Sequence, residues 1–273
     1  MGSMWTGTLG ELETEVLSSG SISAEGVLAL RRAIYGDGEI KHDEAEFLFH
    51  LNQKSGRNDP AWDEFYVEAL TDYFVWKREP DGQLSDEDAR LLIDRIGGDG
   101  VVEHPTELKL LSNILYRAQE VPQSLRVFAL KAIRDTVLSN DPQVIGAGRQ
   151  PGVIDEADVQ MIQKIIYGMG SDGGIAIDKE EADLLFDLNN RSAKANNHPS
   201  WSTLFVKAIT MYVLFKGASP NRIDEAEARW LIDHIEQDGQ HDATERALME
   251  YLKREAEYVH SDLEPLMTRF GSA

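Results

Sequence analysis

The chain contains no cysteine. Disulfides, thiolate zinc sites and cysteine nucleophiles are therefore excluded, and the composition suits a reducing compartment. Basic residues are scarce: 27 Lys and Arg stand against 48 Asp and Glu, a net charge of -21 over 273 residues. A nucleic-acid binder needs a basic face to displace phosphate counterions, and an anionic membrane surface would repel so acidic a chain. Neither nucleic acid nor membrane is expected as a partner. Long apolar runs are also missing. The window from Leu204 to Phe215 is interrupted by Lys207 and Thr210, and a membrane helix needs about 18 uninterrupted apolar residues. The opening Met1-Gly2-Ser3-Met4 reads as a cloning remnant with Met4 the expected native start, and no basic stretch leading into an apolar segment follows. The expected location is the cytoplasm.

What is present is a globular composition, 42% hydrophobic, and a strong internal repeat. Ala61-Trp62 through Val67, Ala69, Thr71 and Tyr73 lies over Ser200-Trp201 through Val206, Ala208, Thr210 and Tyr212 at an offset of 139. Ala89-Arg90, Leu92-Ile93-Asp94 and Ile96 lie over Ala228-Arg229, Leu231-Ile232-Asp233 and Ile235 at the same offset. Upstream, Ile34-Tyr35-Gly36 matches Ile166-Tyr167-Gly168, and Leu48-Phe49 with Leu51-Asn52 matches Leu185-Phe186 with Leu188-Asn189. Such self-similarity points to duplication. It divides the chain into an N-terminal extension over 1–19, a first half over 20–140, a Gly- and Pro-rich linker over 141–152 and a second half over 153–273.

Each half reads as helices. Val27, Leu28, Leu30 and Ile34, like Leu91, Leu92, Ile93 and Ile96, follow the spacing of one apolar face. Capping boxes mark helix starts at Ser85–Asp88, Asp155–Asp158, Asp178–Glu181, Asp224–Glu227 and Asp242–Glu245. Pro105 and Pro122 suit first-turn positions. Long alternating strands are absent from the pattern. The fold class is all-α, with about five or six helices per half. Much of the acidity then has a plain origin, since carboxylates gather where the helix dipole favours them.

Within each half a helix–loop–helix unit appears twice, each loop carrying Asp-Gly and then an acidic residue that opens the next helix. The loops centre on Asp37-Gly38, Asp99-Gly100, Asp172-Gly173 and Asp238-Gly239. This pattern resembles the back half of an EF-hand calcium loop, and is similar to the helix connector of the tellurite-resistance B-like helical family. The resemblance implies oxygen ligands at alternating positions, with glycine at the sharp turn. Carried over, loop one would use Asp37, the Glu39 carbonyl and Glu44. Loop two would use Asp99 and Glu103, with Glu107 one place beyond the last ligand position. Loop three would offer Asp172, Asp178 and Glu181. Loop four would use Glu236, Asp238, Asp242 and Glu245. Position one, ordinarily Asp, holds Ala33, Arg95 and His234 instead. A purely structural origin stands beside this: a helix ending at glycine, followed by a capped helix, needs the same residue types.

His234, His241 and Asp238 could form a small zinc site across loop four, although solvated loop histidines are the commoner outcome. His42, His104 and His198 read as turn or cap residues. Trp62 and Trp201, with Tyr73 and Tyr212, read as core anchors rather than a ligand pocket. No nucleophile elbow, Walker loop or HExxH motif occurs. The expected function is a non-enzymatic, acidic protein-interaction module with at most weak divalent-cation binding, of Ca2+ or Mg2+. The alternatives are a calcium-responsive sensor and, behind it, a metal-dependent enzyme using clustered carboxylates. The partner is another protein, and nothing in the sequence sets the oligomeric state.

Overall fold

The computed structural model describes residues 8–77, 80–97, 102, 104–145, 148–167, 177–215 and 220–271. The chain is all-α, and the named strands among these residues are the two-residue pieces Arg222–Ile223 and Tyr258–Val259, paired in parallel. No helix among them is long and apolar enough to cross a membrane. The chain divides into two compact units, Met1–Leu125 and Arg126–Ala273.

In the first unit, α1 (Leu9–Val16) opens with a capping box in which Thr8 N donates to Glu11 Oε2 at 2.7 Å. Its buried Leu12 and Val16 bring it against α2 (Ala24–Ile34) and α3 (His42–Lys54). Part of the stretch expected as an extension is thus a packed helix. The apolar face of α2 is Val27, Leu30 and Ile34; Leu28 points away from it and is 53% exposed. Helix α4 (Pro60–Thr71) carries Trp62, has proline in its first turn, and packs on α2 and on α6 (Pro105–Arg117). Its end widens into a π-helical turn over Asp72–Trp76. Helix α5 (Asp86–Gly97) follows. Each Leu or Phe buried on these faces stabilises by roughly 1.5–3 kcal/mol.

The second unit begins within α7 (Gln123–Leu138) and continues through α8 (Pro142–Ile145), α9 (Glu156–Tyr167), α10 (Lys179–Ser192), α11 (Ser200–Phe215), α12 (Glu225–Ile235), α13 (Ala243–Glu255) and α14 (Glu264–Gly271). Helix α7 joins this unit through charge: Arg126 pairs with Glu181 at 3.0 Å and Arg134 with Asp187 at 3.3 Å, both acids on α10. The division therefore falls in the first turn of α7, ahead of the segment read as a linker. Within that segment Gly148 and Gly152 both adopt positive φ, and Arg149 pairs with Asp155 at 2.9 Å. Helix α11 packs on α9, α10 and α13.

All five capping boxes form. In the closing one, for example, Asp242 N donates to Glu245 Oε2 and Glu245 N to Asp242 Oδ1, at 3.0 and 2.9 Å. Corresponding boxes tie Ser85 to Asp88, Asp155 to Asp158, Asp178 to Glu181 and Asp224 to Glu227. Pro105 occupies the first turn of α6, whereas Pro122 lies one residue before α7.

The same polar clasps occur in each unit. Trp62 Nε1 donates to Asn52 Oδ1 and Trp201 Nε1 to Asn189 Oδ1, both at 3.0 Å. Ile22 N donates to Asn58 Oδ1 at 2.8 Å, and Ile154 N to Asn197 Oδ1 at 2.9 Å. Past the Trp-bearing helix, Gly82 N donates to the Val75 carbonyl at 2.6 Å and Asn221 N to the Leu214 carbonyl at 2.8 Å. Gly82 and Asn221 both sit at positive φ, +80 and +62°, and Asn is the side chain that best tolerates that region.

Candidate functional site

The four loops are organised by capping. In loop one, Asp37 Oδ1 accepts from Glu39 N at 3.3 Å, and its other oxygen pairs with Lys41. Glu44 Oε2 accepts from Lys41 N at 2.8 Å, and burial raises its carboxyl above the usual range. Glu39 is exposed. In loop two, Asp99 and Glu103 lie outside the described residues. Glu107 is buried, caps α6 through His104 N, and accepts from Asn52 Nδ2 at 3.1 Å. In loop three, Asp172 also lies outside the described residues. Asp178 and Glu181 form a capping box, and the buried Glu181 carboxylate faces Arg126.

Loop four is described throughout. Glu236 pairs with Arg269, and Asp238 Oδ1 accepts from Gln240 N at 2.8 Å. Asp242 accepts from Thr244 N, Glu245 N and Asn189 Nδ2 at 2.6, 2.9 and 2.7 Å. Glu245 is 1% exposed, and its carboxyl is pushed up to about 8. Burial is the main cause, reinforced by the nearby carboxylates of Asp242 and Asp238 and opposed by the bond from Asp242 N. Calcium takes six to eight oxygens. Among the described residues no group of three or more His, Asp or Glu side chains is arranged to hold a metal ion.

The histidines separate in the same way. His234 Nδ1 lies 2.9 Å from the Trp230 carbonyl and Nε2 3.1 Å from Asp183 Oδ1, so it faces α10 rather than loop four. His241 stacks on Phe270 at 4.7 Å between centroids. His104 stands at the N-cap of α6, His42 opens α3 with Nδ1 2.9 Å from the Tyr73 hydroxyl, and His198 precedes α11 and contacts Ser200 Oγ at 2.7 Å. Trp62 and Trp201 are core side chains.

The feature that the motif search missed lies on the second unit. A groove of about 530 Å3 opens among α9, α11 and α13, lined by Val159, Tyr167, Leu204, Lys207, Thr210 and Phe215, with Met211 and Tyr251 beside them. Thr210 is 4% exposed, and among the described residues neither its hydroxyl nor that of Tyr167 has a hydrogen-bond partner. Burial raises the Tyr167 phenol above its ordinary value, so it remains a proton donor.

The first unit carries other side chains at the matching surface. There Arg31 pairs with Glu68 at 2.7 Å and lies over Phe65, while Asn113 Nδ2 donates to Thr71 Oγ1 at 2.9 Å. Gln163, Lys207, Thr210 and Tyr251 stand at the positions of Arg31, Glu68, Thr71 and Asn113. The signal was therefore in the sequence, at the places where the two halves differ. Compared with known proteins, the chain matches no family model, no curated protein and no solved structure.

Proposed function

We propose that the chain is a non-enzymatic, acidic protein-interaction module, built of two copies of one helical unit and working in the cytoplasm. One observation carries this reading. At matched positions, where the Trp-bearing helix ends, each unit leaves a large apolar side chain in solvent: Trp76 at 41% and Phe215 at 64% exposure. Aromatic anchors of this kind supply much of the energy of protein interfaces. The test is capture from native lysate by wild-type protein and by Trp76→Ser with Phe215→Ser, at matched melting temperature. Loss of the captured protein in the variant is expected; an unchanged set of captured proteins contradicts the reading.

A second reading, weak cation binding in EF-hand-like loops, is favoured by loop geometry. Gly38 and Gly239 both adopt positive φ, +88 and +67°, each directly after an aspartate whose carboxylate accepts from the backbone N–H two residues on. This is also the geometry of an ordinary turn. A melt in chelator against millimolar calcium decides, since a ligand stabilises by RT ln(1 + [L]/Kd). Binding at loop four requires Glu245 to lose its proton, so any shift should grow as pH rises through about 8. No shift in calcium, magnesium or manganese removes this reading.

A further inference from the structure

We propose that the groove of the second unit is a binding site for an apolar monocarboxylate, a small molecule with an alkyl or aryl body and one anionic end. The inference goes beyond the protein-interaction reading: Phe215 serves both, but Lys207, Thr210 and Tyr167 enter only here.

Size and lining come first. A volume of about 530 Å3 lies within the range of small-ligand pockets, roughly 300–1,000 Å3. Val159, Leu204, Met211 and Phe215 give it an apolar body, and methionine adapts its shape to irregular ligands.

The second observation is an unmet hydrogen-bonding need. Thr210 is buried on α11 and lines the groove, yet its hydroxyl is unpartnered among the described residues. At the matched position the Thr71 hydroxyl is satisfied by Asn113. Leaving a buried hydroxyl unmatched costs on the order of 1–3 kcal/mol. A turn of the Thr210 side chain that brings its buried hydroxyl to the groove would let a ligand oxygen accept from it and remove that cost at the moment of binding.

Charge selects the ligand's polar end. In a chain of net charge -21, none of the described residues lining the groove is Asp or Glu. Lys207 is an exposed cation on its wall, and among the described residues it makes no ion pair or hydrogen bond. Its counterpart Glu68 is neutralised by Arg31. A free ammonium on the wall of a groove without acids suits a carboxylate better than an amine.

Calorimetric titration of the full chain with decanoate, and separately with decanol and decylamine, tests this. Wild type is expected to bind decanoate at one saturable site and decylamine not at all. Lys207→Gln should weaken decanoate about tenfold and leave decanol unchanged. Thr210→Val should weaken both several-fold without lowering the melting temperature, which separates loss of a ligand contact from loss of fold. Absence of saturable decanoate binding overturns the proposal, as does binding that both variants leave unchanged.

Discussion

The same substitution at two matched threonines should have opposite effects on stability. Thr and Val are close in shape, so Thr→Val exchanges a hydroxyl for a methyl with little change in packing volume. At Thr210 the hydroxyl is buried and has no partner among the described residues, so the methyl relieves a desolvation penalty. At Thr71 the hydroxyl accepts from Asn113 Nδ2 at 2.9 Å, so the methyl strands a half-buried amide donor. Each effect should be about 1 kcal/mol, stabilising at Thr210 and destabilising at Thr71. For a protein of this size that corresponds to about 2–4 °C in melting temperature, upward for one variant and downward for the other. Urea titration followed by circular dichroism checks the free energies, and the slope with denaturant shows whether the unfolded surface has changed. Two shifts of the same sign, or a loss of stability in Thr210→Val, would refute the claim that the Thr210 hydroxyl is left unsatisfied.

Other consequences follow from the same packing. The Glu245 carboxyl is raised from 4.5 to about 8, so between those values the folded chain keeps a proton that the unfolded chain has released. Stability should therefore fall as pH rises through this window, and Glu245→Gln, which can still accept from Asp242 N, should flatten the profile and melt higher than wild type at pH ~9. Asn52→Ala should cost about 2–4 kcal/mol by stranding the buried Trp62 Nε1 and removing one hydrogen bond to the buried Glu107, and Asn189→Ala should match it; chemical denaturation of each measures this. Arg126→Met leaves the buried Glu181 carboxylate without its cation and should lower stability by about 3 kcal/mol at neutral pH, with partial recovery on adding Glu181→Gln. If the Arg126 variant equals wild type, α7 is not held to α10 by this pair.

How far the sequence carried these conclusions depended on the range of the interactions involved. The all-α class and all five capping boxes were legible because helix periodicity and Ser/Asp–Glu spacing are read over three or four residues. Helix α1 was not recognised, although Thr8 and Glu11 have the same box spacing, because its apolar face is short. Leu28 was assigned to the core by spacing alone, yet Val27, Leu30 and Ile34 complete the stripe and leave it outside. The acidic loop residues could be found but not interpreted. Asp242 and Glu107 look the same in sequence whether they bind a cation or, as here, hold an Asn that holds a Trp. The groove draws its wall from three helices and depends on what those positions lack, so no local pattern announces it.

The central claim is that two copies of one helical unit present matched aromatic anchors to a protein partner. Capture from native lysate by wild type, Trp76→Ser, Phe215→Ser and the double variant, each at equal concentration and with its fold verified by melting, tests it most directly. The account predicts one captured protein that is weakened by either single change and lost with both. Undiminished capture by the double variant would contradict it.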